Sequence, residues 1–285
     1  MKIFFALLIL FNLFPGILSA MSWPCETPVL FRNFGSNDNG RPVLGMVFDG
    51  ASDVLASGDG EVIFSRGMND KASRLPSPLG AMTAVDHGDG LISIYSRYND
   101  GTVSASYSQV EKQQFIASAG TSGWSSRNGF YFILFDRRER RWINPAMIIT
   151  PVQETRPPQI LSVALQNEQG VFVQARNLTQ GRYTIHVNTS SAAANRAAIP
   201  LAPQRIVCSV NGAEAGSLNF EAVSARDGVL MVYRNGLVPV KQVYANYPAF
   251  ETAEVFLNRG QVNLEIIVQD IAGNSRSVIN RLVVN

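Results

Sequence analysis

The chain predicts two consecutive all-β units, and three observations carry that expectation. Apolar and polar residues alternate with a period of two in run after run, as in Asp53–Phe64 and Ala84–Tyr95. Gly, Asp and Asn clusters separate the runs, as at Gly58-Asp59-Gly60, His87-Gly88-Asp89-Gly90 and Asn99-Asp100-Gly101, which is the chemistry of tight antiparallel turns. Helical periodicity is scarce. A Pro-rich stretch in the middle of the chain, TPVQETRPP, separates the two groups of strands.

In order, residues 1–20 open with Met1-Lys2, continue with the apolar run Ile3–Phe14 and end in Ser19-Ala20. That pattern predicts a secretory signal peptide, with an uncut N-terminal anchor as the alternative. Residues 21–40 read as a lead-in segment ending in the polar loop Gly35–Gly40. Residues 41–150 form the first unit, with strands expected at Val43–Phe48, Asp53–Ala56, Gly60–Ser65, Ala81–Asp86, Leu91–Tyr98, Phe115–Ala119 and Gly129–Phe135. Residues 151–158 are the linker. Residues 159–285 form the second unit, with strands expected at Ile160–Leu165, Gly170–Ala175, Gly181–Asn188, Arg205–Val210, Gly216–Val223, Val229–Arg234, Glu251–Leu257, Gln261–Gln269 and Ser275–Val284.

Composition narrows the function classes. With 24 basic and 22 acidic residues among 285 the net charge is +2, so nothing favours a nucleic-acid partner. No later run is long and apolar enough for a membrane-spanning helix, so after signal cleavage the chain is not expected to be an integral membrane protein. The two cysteines, Cys25 and Cys208, either pair across the units or stay single, with Cys208 buried on a strand. Neither forms a metal knuckle. Two histidines are present. His87 sits in a turn with Asp86 and Asp89, and His186 is expected to face out of a strand. Asp49, Asp53 and Asp59 are candidates for a hard cation or plain turn residues. No nucleophile elbow and no phosphate-cradling glycine loop occurs.

Four ordered blocks then carry a family resemblance. GASDVLASGDGEVIFSRG (50–67), TAVDHGDGLISIYSRY (83–98), VEKQQFIASAGTSG (110–123) and GFYFILFDRRERRWINP (129–145) resemble, in order and spacing, the lysostaphin-type (LytM-like) zinc metallopeptidases that cut peptidoglycan cross-bridges. The resemblance implies an antiparallel, open-barrel β domain, the duplicated hybrid motif. In that family zinc is held by the His and Asp of H-x-G-x-D and the second His of H-x-H. Carried over by position, the first motif becomes Val43-Leu44-Gly45-Met46-Val47, the second Phe130-Tyr131-Phe132, and the His of "YAHL" becomes Arg97. Val and Phe offer no donor to zinc, so the resemblance implies a degenerate domain with no metal and no cofactor. Phe130 and Phe132, with Val43 and Val47 opposite, are expected to form one dry cluster. The closing stretch GQVNLEIIVQDIAGNSRSVINRLVVN is similar to the last hairpin of bacterial immunoglobulin-like domains, and about eight short strands suit such a sandwich.

Arg137, Arg138, Arg140 and Arg141, with Arg97 and Arg127, are expected to ring the former groove and attract carboxylates, or else to decorate a solvated turn. The first functional expectation is an inactive endopeptidase-like protein of the envelope, in periplasm or medium. It would act by binding peptidoglycan, a cell-wall hydrolase or another envelope protein, since members lacking zinc ligands are associated with activating cell-wall amidases. An active hydrolase with a non-standard site and a structural or adhesive envelope protein are the alternatives.

Overall fold

A computed structural model describes residues 21–38, 40–50, 52–67, 76–99, 108–150, 157–173, 177–190 and 201–285. The expected signal peptide, most of the linker and the end of the Gly170–Ala175 strand lie outside these residues.

Nearly all the regular structure is β. In the first unit the central strand is Gly129–Asp136, whose GFYFILF run is buried over its first six residues. Continuous burial follows from its position, because it has a neighbour on each edge and packing on each face. Along one edge it pairs antiparallel with Met46–Asp49 and then with Arg141–Ile143. Along the other it pairs with Leu91–Ser96, which continues through Met82–Asp86 and Gly60–Arg66 to Gln109–Val110. The sheet is open, without barrel closure. The lead-in segment is part of the fold. Leu30–Arg32 pairs with Met46–Asp49, and Asn37–Asp38 forms a short hairpin with Arg41–Pro42.

Gly45 sits where two strands press together. A Cβ built there would lie 2.1 Å from the Phe132 carbonyl oxygen, so only glycine allows this approach.

The second unit is a two-sheet β-sandwich. One sheet runs Phe172–Val173, Gln159–Asn167, Gly181–Ser190, Ala249–Leu257. The facing strands run Asn177–Leu178, Ser275–Val284, Gly260–Gln269, Arg205–Val210, Ala213–Arg226, Val229–Arg234 and Leu237–Pro239. Alternate residues of Gly260–Gln269, namely Val262, Leu264, Ile266 and Val268, point into the core between the sheets, as a half-buried strand requires.

The units are not separate beads. Arg141, Trp142 and Ile143 pair with Ser224, Val223 and Ala222, so one sheet runs through both. Buried amides lock the junction. Asn33 donates from Nδ2 to the Ala202 carbonyl at 2.8 Å and accepts at Oδ1 from the Ala202 N–H at 2.9 Å. Asn144 donates to the Phe220 carbonyl at 2.9 Å while its Oδ1 caps the short 3₁₀ helix Pro145–Met147 through the Ala146 N–H. Tyr244 donates its hydroxyl to the Gly35 carbonyl.

Both cysteines are unpaired and buried, Cys25 included. Burial pushes the Cys25 thiol up to about 12 and Cys208 up to about 11. His186 is 1% exposed rather than outward-facing. A bulge between Ile185 and His186 breaks the alternation, and the Phe172 ring packs 5.0 Å from the imidazole. Among the described residues no helix is long and apolar enough to cross a membrane.

Candidate functional site

A cavity lies over one face of the central strand, and its lining differs from the expected ring of residues. Side chains on a strand alternate between faces. Tyr131 lies opposite Val47 and Phe132 lies opposite Met46 in the paired strands. Phe130 and Phe132 therefore turn inward with Met46, Phe48, Tyr95 and Leu134, and the Phe48 and Phe130 rings stack at 4.7 Å. Tyr131 and Ile133 turn to the opposite face and cluster with Val43, Val47 and Ile94. The expected Phe130–Phe132–Val43–Val47 cluster is thus corrected by one residue, and a slip of one exchanges the faces of a strand. Val43 is buried and Val47 half-buried on the groove side.

Over this face lies a cavity of about 270 Å³. Its floor is Val43, Val47 and Tyr131, and Arg97 flanks it. Phe31, Arg32 and Asp38 come from the lead-in segment, Arg41 from the strand after it, and Trp124 and Arg127 from the loop before the central strand. That loop is seated backbone against backbone. Gly123, at φ +69°, packs on Gly80 and Pro78, and Trp124 N–H donates to the Pro78 carbonyl at 3.1 Å.

Tyr131 is the buried polar group of the floor, 8% exposed. Its oxygen accepts the Leu44 backbone N–H at 2.9 Å, which leaves the phenolic hydrogen available as a donor. Burial raises its pKa to about 12, with the Leu44 N–H and Arg97 pulling the other way, so it stays protonated. Arg97 adopts φ +65°, and its guanidinium carbon sits 4.9 Å from the Tyr131 ring centroid. The Arg97 Nε is buried with no hydrogen-bond partner. Arg32 pairs with Asp38. Arg127 grips Asp49 through Nε at 3.2 Å and Nη2 at 2.6 Å and stacks 4.5 Å from the Phe31 ring centroid. The hydrogen bond to Asp49 and its charge raise the Arg127 pKa.

The arginine ring is split. Arg97 and Arg127 line the cavity, whereas Arg137, Arg138, Arg140 and Arg141 lie past the other end of Gly129–Asp136, about 20 Å along a strand of eight residues. There Arg137 pairs with Asp86, Arg138 with Asp89 and Arg141 with Asp136. The backbone N–H groups of Glu139 and Arg138 hold the Asp136 carboxyl below its usual range. This is the solvated-turn alternative. Arg32, Arg41 and Trp124 were missed by sequence reasoning because they lie outside the aligned blocks or at their edge.

The other candidates do not converge. Asp49 is taken by Arg127, and Asp59 accepts the Lys112 N–H at 2.7 Å. Among the described residues no group of three His, Cys, Asp or Glu is placed to hold a metal. His87 is a turn residue, as expected. Its Nδ1 lies 2.7 Å from the Asp59 carbonyl oxygen and so carries the proton, and Nε2 lies 2.7 Å from Ser93 Oγ. Burial lowers its pKa against the opposing pull of the Asp59 carbonyl and nearby carboxylates.

With this geometry in place, residues 43–145 match the family model described as peptidase family M23, and a separate family model spans residues 157–285. The chain is 27% identical over 141 residues to an uncharacterized protein of Treponema pallidum (strain Nichols), covering 46% of this chain and 96% of that one. It is 35% identical over 127 residues to the murein hydrolase activator EnvC of Escherichia coli (strain K12), covering 43% of this chain but only 27% of EnvC. Lysostaphin of Staphylococcus simulans aligns structurally at 12% identity and a TM-score of 0.36, over 90% of this chain and 99% of that one. The four sequence blocks and the open antiparallel sheet around Gly129–Asp136 fall within the stretch, residues 43–145, that matches peptidase family M23.

Proposed function

We propose that this chain is a non-catalytic M23-type protein of the cell envelope that works by binding, either to the cell wall or to a hydrolase acting on it. The observation that carries the reading is the residue set on the groove face. Val43 and Val47 take the motif positions that the resemblance assigns to metal ligands, and Tyr131 and Ile133, rather than Phe130 and Phe132, share their face. Three of the four have no lone pair to offer, and the fourth is a buried phenol that remains protonated. Residues that do not fit zinc cannot present an activated water, and the apolar replacements pack against one another instead. The stretch of similarity to EnvC, named as a hydrolase activator, supports a binding role for the shared part. We read the C-terminal sandwich as immunoglobulin-like and, because it shares a sheet with the first unit, as a rigid continuation of it. In this reading the protein is exported and the first 20 residues are its signal peptide.

Purified protein tests the reading. Zinc content after dialysis should be far below stoichiometric, and incubation with peptidoglycan sacculi should release no fragments above buffer. Co-sedimentation with sacculi, or increased turnover by a cell-wall amidase, should be measurable. Stoichiometric bound zinc together with fragment release overturns the proposal, as does the absence of both sacculus binding and amidase stimulation.

A further inference from the structure

The strongest unassigned feature is the cavity itself, considered apart from what the ligand positions no longer do. Four guanidinium groups line it, from Arg32, Arg41, Arg97 and Arg127, against one lining carboxylate, Asp38. Arg32 is engaged by Asp38 and Arg127 by Asp49. Arg97 and Arg41 form no ion pair among the described residues, and the Arg97 Nε is buried without an acceptor. Tyr131 brings an unspent hydroxyl hydrogen to the same floor. A buried donor without an acceptor costs free energy that a bound acceptor recovers. At about 270 Å³ the space is near the ~300 Å³ lower end of small-molecule pockets, so it suits the end of a chain rather than a folded surface.

We propose that this cavity recognises a peptide carboxylate, held by the Arg97 guanidinium and the Tyr131 hydroxyl, with Arg41 at the mouth and Phe31 and Trp124 covering the adjoining residue. The assignment deepens the binding role above and rests on it. A planar guanidinium matches the two oxygens of a carboxylate. The aromatic walls favour this ligand over inorganic phosphate, which is more strongly hydrated and has no apolar flank to place against them. Trp124, 77% exposed, is the large side chain free to close over the bound segment. The excess of positive charge steers an anionic terminus toward the mouth.

The test uses the full chain, calorimetry and tryptophan fluorescence. The probes are N-acetyl-Ala-Ala with a free carboxylate, its C-terminal amide, N-acetyl-Ala-Glu-amide, and inorganic phosphate. The free dipeptide should bind saturably, more weakly at high salt, and at least tenfold more tightly than the amide. N-acetyl-Ala-Glu-amide distinguishes a side-chain carboxylate from a terminal one, and binding of either acid supports the proposal. Arg97→Asn, chosen because asparagine tolerates positive φ, should weaken binding at least tenfold, and Arg97→Lys should restore part of it. Arg41→Gln, at an exposed position that leaves the core untouched, should weaken it severalfold, and Arg138→Gln at the distant turn should not. Equal binding of acid and amide, tighter binding of phosphate than of either acid, or indifference to both Arg97→Asn and Arg41→Gln overturns it. If sacculus binding or amidase stimulation survives while every peptide probe fails, the carboxylate pocket falls and the broader reading stands. If the acids bind as expected while both envelope assays fail, the broader reading falls and the pocket stands.

Discussion

The Leu44 amide N–H donates to the Tyr131 hydroxyl oxygen at 2.9 Å, joining the Gly45 turn of the chain to the floor of the groove. One phenol oxygen thus ties together two segments that lie 87 residues apart in sequence. Tyr131→Phe removes the acceptor and leaves the Leu44 N–H half-buried and unpaired. It should lower stability by about 1–3 kcal/mol, read as a shift in the urea midpoint at unchanged slope. An unchanged midpoint would mean that water replaces the phenol.

Gly45→Ala should be more damaging than its size suggests. The new Cβ meets the Phe132 carbonyl at 2.1 Å, and backbone on both sides must separate. Overpacking of this kind costs about 1–3 kcal/mol or more. Gly40→Ala, at φ +81° with open space around it, should cost about 1 kcal/mol from conformation alone. Chemical denaturation of the two variants side by side makes the comparison. Equal losses would sink the close-approach explanation.

At the junction between the units, Asn33→Ala strips the Ala202 carbonyl of its amide donor and leaves the Ala202 N–H with only the longer contact to Ser36 Oγ at 3.3 Å. Each buried group left unpaired costs about 1–3 kcal/mol. Because one sheet runs through both units, the wild-type chain should unfold in a single transition, and Asn33→Ala should lower its midpoint. Limited proteolysis that frees a stable fragment of residues 157–285 from the wild type would contradict the shared-sheet picture.

Acid sensitivity follows from the two histidines. Burial lowers the pKa of both His87 and His186 below 6.5 in the folded chain. Below that value the unfolded chain holds more protons, so stability rises with pH there. The contribution of the neutral rings is complete above pH 6.5 and is lost as pH falls through the folded values. Urea midpoints should therefore drop between pH 7.5 and pH 5, and His87→Gln should flatten that drop. A flat wild-type profile over this window would refute the assignment.

Thiol chemistry gives a direct check on burial. With both cysteines buried and their pKa values raised, the native protein should react with a thiol reagent far more slowly than free cysteine. Two thiols should titrate rapidly once it is denatured. One or none after denaturation without reductant would indicate a disulfide or another modification.

Much of this protein is legible along the chain because its signals are local. Alternation with a period of two and turn residues such as Gly58-Asp59-Gly60 place most strands within a residue or two. The ordered blocks lie within the stretch, residues 43–145, that matches peptidase family M23. The strand pairing of Leu30–Arg32 with Met46–Asp49 was not legible, since three residues carry no periodicity and owe their conformation to a partner.

What the amino-acid order determined alone is the β class and the likeness of residues 43–145 to peptidase family M23. What only the tertiary structure decided is which face of Gly129–Asp136 meets the groove, and that Arg32, Arg41 and Trp124 meet Arg97 there. The reason is physical. A run apolar on both faces, such as GFYFILF, has no alternation to reveal its orientation, so pairing with Met46–Asp49 sets it. Charges distant in sequence become one site only when the chain between them folds back.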